Sequence, residues 1–96
     1  MACYHLTKQA ATDLTDIYLC TFRTFGEEEA ESYVDDMYEC IGLIAENPRL
    51  GRAIGFVRPG VSRFAHREHP IFYKPESEGV LIIRVLHSRM DPSVRL

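Results

Sequence analysis

The sequence predicts an α+β fold in the order β-α-α-β-β-β. It reads as an N-terminal strand, an antiparallel helical hairpin, then a three- to four-stranded antiparallel sheet. Three observations predict it. Residues 8–47 carry two apolar stripes at helical spacing, parted only by Gly26. After Pro48, glycines and prolines punctuate short runs rich in β-forming residues. Those runs follow one another through short turns, which pairs neighbouring strands antiparallel. At 96 residues the chain is expected to form one domain, 1–96, around a single two-layer core.

Residues 2–6 form the first strand, with Tyr4 and Leu6 on one face and Cys3 and His5 on the other. Thr7 caps the following helix, because its hydroxyl can accept a free N–H of the first turn. That helix runs from about Lys8 to Phe25, with Ala10, Leu14, Ile17, Tyr18, Phe22 and Phe25 as its core stripe. Asp13, Asp16 and Arg23 fall off the stripe and are expected in solvent. Gly26 supplies a left-handed stop. Glu27, Glu28 and Glu29 then favour the positive end of a second helix dipole. This helix extends to about Asn47 and buries Ala30, Tyr33, Val34, Met37, Ile41, Ile44 and Ala45; Pro48 ends it. Two amphipathic helices with almost no loop between them fold back on each other.

Four strands are predicted in the second half, at 53–57, 61–66, 71–74 and 80–87. In the second of these, Ser62, Phe64 and His66 share a side. In the last, Leu81, Ile83, Val85 and His87 share one face and Val80, Ile82, Arg84 and Leu86 the other. Both faces are largely apolar, so this strand is central and covered on both sides. The hairpin covers one side; something else must meet the other. The tail from Ser88 to Leu96 reads as irregular, with Pro92 blocking a helix through it.

The net charge of −3 hides a split: residues 1–50 carry three Lys/Arg against ten Asp/Glu, and residues 51–96 carry eight against four. The acidic total argues against direct nucleic-acid binding, and the split implies two faces of unlike charge. The N-terminus lacks an apolar signal core and the longest apolar run, Val80 to Ile83, is too short for a membrane, so a cytoplasmic protein is expected. Cys3, Cys20 and Cys40 fit no paired metal pattern and read as reduced, mostly buried thiols.

No phosphate loop, dinucleotide fingerprint or nucleophile elbow is present. His66 and His69, three apart on a strand or turn, point to opposite faces and do not make a metal site, and no cofactor is implied. Asp35, Asp36 and Glu39 read as a solvated helix face. The remaining constellation is cationic: Arg58, Arg63, Arg67, Lys74, Arg84, Arg89 and Arg95, with His66, Tyr73 and His87. Such a sheet face suits a phosphate chain, including RNA cleavage by acid–base side chains, or equally a protein interface rich in arginine.

Several blocks along nearly the whole chain resemble one family. They are Tyr4-x-Leu6-Thr7-x-x-Ala10-x-x-Asp13-Leu14-x-x-Ile17, Phe25-Gly26 and Ala30-x-x-Tyr33, followed by Ala45-Glu46-Asn47-Pro48-x-Leu50-Gly51-Arg52 and Arg58-Pro59-Gly60. The series closes with His69-x-Ile71-Phe72-Tyr73 and Ile83-Arg84-Val85-Leu86-His87-x-Arg89-Met90-Asp91. The chain resembles the RelE/ParE superfamily of small bacterial toxins, in its ParE branch, which includes plasmid stabilisation proteins. The resemblance implies the fold derived above and a toxin that is not an enzyme. Its implied target is DNA gyrase. Its implied partner is a ParD-like antitoxin with a ribbon-helix-helix part and a wrapping tail, in a hetero-oligomer. Arg58, Arg63, His66, Tyr73, Arg84, His87 and Arg89 are the expected antitoxin- or target-binding residues. The RelE branch instead implies a ribosome-dependent mRNA endoribonuclease. Against it, the chain has no Tyr after Tyr73 and only Lys74 as a lysine beyond residue 50. A third reading is an antitoxin-binding module without toxicity.

Overall fold

The computed structural model describes residues 3–96. The elements are β1 (Cys3–Leu6), α1 (Lys8–Phe25), α2 (Glu27–Glu46), a 3-10 turn (Pro48–Leu50), β2 (Arg52–Ala53), β3 (Ser62–Phe64), β4 (Ile71–Glu76), β5 (Gly79–Val85) and α3 (Pro92–Arg95). The predicted start of the first strand at Ala2 lies outside the described residues.

The five strands form one sheet in the order β1-β5-β4-β3-β2. β2 to β5 run antiparallel as neighbours, as their short connections require. β1 joins β5 in parallel, with Tyr4 opposite Val80 and Leu6 opposite Ile82, so the sheet is mixed. The intervening hairpin makes that crossover possible.

Thr7 caps α1: its hydroxyl accepts from the Ala10 N–H at 3.0 Å and donates to the Ile83 carbonyl at 2.7 Å, which ties the helix start to β5. Gly26 joins α1 to α2 at φ 92°, ψ 178°. The φ sign is the one expected, but the residue is extended in ψ rather than left-handed helical, and only glycine adopts it without strain.

The helices and the inner sheet face enclose the main core. Leu14 and Ile17 of α1, Met37, Ile41 and Ile44 of α2, and Ile71, Tyr73, Val80, Ile82 and Val85 of the sheet meet there. The predicted α1 stripe is buried only as far as Ile17. Phe22 and Phe25 are exposed, because the hairpin runs past the end of the sheet that would cover them. Cys3 and Cys20 are also exposed and only Cys40 is buried, against the expectation of mostly buried thiols.

A second cluster covers the outer face. Ile54, Val61, Phe72, Ile83 and Leu86 form it, with Val57, Leu81 and Leu96 packed around them. Ile54 to Val57 does not continue β2 as predicted. The Val57 and Arg58 N–H groups turn back to the Ile54 carbonyl, which folds the segment over the sheet. The tail completes the cover. Pro92 does not block a helix; it opens α3 in its first turn, where its missing N–H is no loss, and Asp91 caps it by accepting from Ser93 N–H at 2.9 Å.

A register shift between Phe72 and Tyr73 changes the predicted faces of β5. Phe72 pairs with Arg84 while Tyr73 pairs with Ile82, which leaves Ile83 as an extra residue on β5. Beyond this bulge the alternation slips by one. Val85 joins Val80 and Ile82 on the helix side, and Leu86 joins Ile83 on the outer side.

Candidate functional site

Following the register across the outer face gives a row of four residues on four strands: Arg52, Arg63, Phe72 and Arg84. Arg58 lies in the β2–β3 loop above it and Lys74 is exposed on β4. The row therefore sets three arginines on the face whose apolar cluster, with Phe72, Ile83 and Leu86, is itself buried.

Arg84 is not free within this row. Its Nε and Nη2 donate to the Asp13 carboxylate at 2.8 and 2.9 Å, and its Nη1 donates to the Arg95 carbonyl at 3.2 Å. The Val85 N–H donates to the same carboxylate at 3.0 Å. The side chains are only 17% and 12% exposed, so the pair is largely shielded from solvent. The Asp13 hydrogen bonds raise the Arg84 pKa further, more than burial lowers it. The expectation that Asp13 is solvated is therefore corrected: one helical residue serves β5 and, through Arg84, the tail.

Tyr73 is fully buried. Its hydroxyl donates to the Pro48 carbonyl at 2.6 Å and accepts from the Gly51 N–H at 2.8 Å, which staples the turn after α2 to the sheet. Gly51 must be glycine there, since a Cβ would collide with that hydroxyl and with the Arg63 carbonyl. Burial pushes the Tyr73 phenol above its usual range.

The histidines sit apart from the arginine row. His66 and His69 bracket a turn that packs against α2, and His87 follows β5 beside them. The Tyr33 hydroxyl lies 2.7 Å from His69 Nδ1. The His69 ring meets Tyr33 and His87 edge-on, each with centroids 5.4 Å apart. His87 Nε2 is 3.7 Å from Glu68, and its Nδ1 accepts from the exposed Arg89 backbone N–H at 3.1 Å. Burial lowers the His66 pKa; burial and then His87 lower that of His69. A neutral His69 ring suits a hydrogen bond from the Tyr33 phenol. His66 Nε2 is buried without a hydrogen-bond partner among the described residues.

Arg67 sits at the tip of this turn at φ 50°, a left-handed conformation that costs a non-glycine residue about 1–2 kcal/mol. Its contacts with α2 hold it there. The guanidinium donates to Asp36 at 3.3 Å and lies 5.6 Å from the Tyr33 ring centroid. Next to the cluster, the turn end of the hairpin forms a cavity of about 330 Å³. Ile17, Cys20, Thr21 and Phe25 line one side, and Tyr33, Glu68, His69 and His87 the other.

The seven predicted site residues thus fall into separate places. Arg58, Arg63 and Arg84 belong to the outer face, His66 and His87 to the cluster at the hairpin end, and Tyr73 to the core. Arg89 is exposed in the turn after β5. Sequence reasoning missed Asp13, Tyr33, Arg52 and His69 as members of these groups. Arg52 was within reach, because the residue after Gly51 opens a strand beside Arg63. No group of three or more His, Cys, Asp or Glu among the described residues can hold a metal ion. No described helix is long and apolar enough to cross a membrane.

Comparison with known proteins agrees across nearly the whole length. A family model described as ParE toxin of type II toxin-antitoxin system, parDE, matches residues 4–92. Toxin ParE1 of Mycobacterium tuberculosis is 38% identical over 89 residues, covering 92% of this chain and 91% of the relative. Toxin ParE1 of Caulobacter vibrioides is 36% identical over 93 residues, covering 97% and 96%. A solved structure titled Chromosomal ParDE TA system from P. aeruginosa superposes with a TM-score of 0.78 at 22% identity, covering 91% of this chain and 96% of that one. At that identity the superposition bears on the fold alone.

Proposed function

The chain belongs to the ParE toxin family of type II toxin–antitoxin systems, and from that premise we propose that it inhibits DNA gyrase in the cytoplasm and is neutralised by a ParD-like antitoxin. It works by binding rather than by catalysis. The observation that carries this reading is the outer sheet face, where Arg52 and Arg63 on paired strands and Arg58 in the loop between them have no acidic partner within ion-pair distance among the described residues, on the side where Val57 and Leu81 stay half-buried. Unpaired guanidinium groups with half-buried Val57 and Leu81 on the same side suit an acidic protein segment that also carries apolar side chains. An antitoxin tail of that composition fits the face.

The test is a gyrase supercoiling and cleavage-complex assay with antitoxin-free protein. Loss of supercoiling or accumulation of cleavage complexes is the expected result; no effect on either would remove the gyrase reading. Cuts in translated mRNA by primer extension would replace it with the endoribonuclease reading. Unchanged growth on expression without antitoxin would favour a binding module without toxicity.

The antitoxin surface is tested separately by charge reversal. Arg58→Glu and Arg63→Glu should each weaken the complex, chiefly through a slower association rate. Arg84→Glu is a poor probe of the interface, because it places a carboxylate against Asp13 and destabilises the toxin itself.

A further inference from the structure

We infer that the cavity at the turn end of the hairpin is a docking socket for a polypeptide segment that presents a large apolar side chain beside a lysine or arginine. It lies on the helix side of the molecule, away from the outer sheet face, and its chemistry is the opposite of that face.

Shape and lining supply the apolar half of the argument. A cavity of about 330 Å³ lies at the small end of ligand sites, suited to one or two side chains rather than a large cofactor. Its walls are mostly carbon: Ile17, the Thr21 and Thr24 methyls, and the rings of Phe25, Tyr33 and His69. Phe25 is 70% exposed at the rim, an apolar ring that the fold itself leaves uncovered. An aromatic or branched aliphatic group entering the socket would cover it.

Charge supplies the other half. Glu29 and Glu68 line the socket. Among the described residues Glu29 has no ion-pair partner, and Glu68 has only His87, at 3.7 Å. The one arginine in the lining, Arg67, is already spent on Asp36 and the face of Tyr33. Glu27 and Glu28 precede Glu29 at the same helix start. Two carboxylates thus face one arginine that is already paired, so the uncompensated charge at the mouth is negative. A cation next to the apolar anchor is drawn in, and the acidic segment suited to the outer face is repelled.

The experiment titrates the full chain with blocked tripeptides and follows backbone amides by NMR. The probes are acetyl-Lys-Phe-Lys-amide and acetyl-Glu-Phe-Glu-amide. Each exposed carboxylate should contribute about two- to fivefold, so the basic peptide should bind roughly tenfold more tightly at low salt, less so as salt screens it. Shifts should centre on Thr21, Thr24 and Ser32. Glu29→Gln with Glu68→Gln should abolish the preference while leaving weak binding of both peptides. Thr24→Trp, at an exposed position on α1, should plug the socket and abolish binding without unfolding the protein.

Four outcomes would overturn the inference. They are equal or tighter binding of the acidic peptide, shifts confined to the sheet face, unchanged affinity in Thr24→Trp, and no shifts at millimolar peptide. Concentration-dependent shifts of the same residues without peptide would assign the socket to a second copy of the chain instead.

Discussion

Replacing Asp13 with alanine should be among the most damaging single changes in α1. The carboxylate takes two hydrogen bonds from Arg84 and one from the Val85 N–H. Removing it leaves a guanidinium that is 17% exposed with only the Arg95 carbonyl as acceptor, and takes the side-chain acceptor from the Val85 N–H. Breaking one side of a fully buried ion pair costs about 3–5 kcal/mol. The residual exposure admits some water, which brings the expected loss to about 2–3 kcal/mol. For a domain of this size that lowers the melting temperature by roughly 10–20 °C. Thermal and urea unfolding of Asp13→Ala, Arg84→Met and the double variant make a double-mutant cycle. The double variant should recover part of the loss, because no charge is left buried. A coupling energy below about 0.5 kcal/mol would refute the reasoning and reduce the pair to an ordinary surface contact.

Further predictions concern the core staple, the histidines and the thiols. Tyr73→Phe leaves the Gly51 N–H and the Pro48 carbonyl without their partner and should cost about 1–3 kcal/mol by urea unfolding. Gly51→Ala should also destabilise, and Tyr73→Phe should relieve part of that loss by removing the hydroxyl that a Cβ would strike. His66 and His69 have folded-state pKa values below their unfolded values of about 6.5, so the unfolded chain takes up protons first on acidification. Stability should be full above that pH and fall as pH drops through it, and unfolding midpoints at pH 7.5 and 5.5 should differ less in His69→Gln. A thiol reagent should label Cys3 and Cys20 rapidly in the native protein and Cys40 only on unfolding, since burial both shields Cys40 and pushes its pKa up.

Much of this architecture was legible because helices and central strands announce themselves locally. The α1 stripe as far as Ile17, most of the α2 stripe, the Thr7 cap and an apolar last strand, expected at 80–87 and found at Gly79–Val85, follow from local pattern. What escaped was long-range. A helical wheel places Asp13 in solvent because it cannot see a strand partner 71 residues away. Phe22 and Phe25 look like core until the sheet is seen to end short of them. The β5 bulge moved Val85 and Leu86 to the faces opposite those that strict alternation assigns. The parting of histidines from arginines was half-visible. Alternation along the 61–66 run already sets Phe64 and His66 against Arg63, and Phe64, half-buried against the main core, then fixes which side faces α2. The Tyr33–His69 contact had no local signal, since the two residues are 36 apart and meet only when the turn folds onto α2.

The parallel pairing of β1 with β5 has a consequence for how the molecule comes into being. Cys3 meets Gly79 and Leu6 meets Ile82, so the first strand made during synthesis waits for the last. Until then the inner-face core lacks Val80, Ile82 and Val85, and α1 lacks the strand to which Thr7 and Asp13 bind. Contacts of such sequence separation form late and as a unit. A chain shorter than about 85 residues therefore has an incomplete sheet and an outer face without Leu86. Closure of β5 between β1 and β4 then completes the inner core and the outer face together.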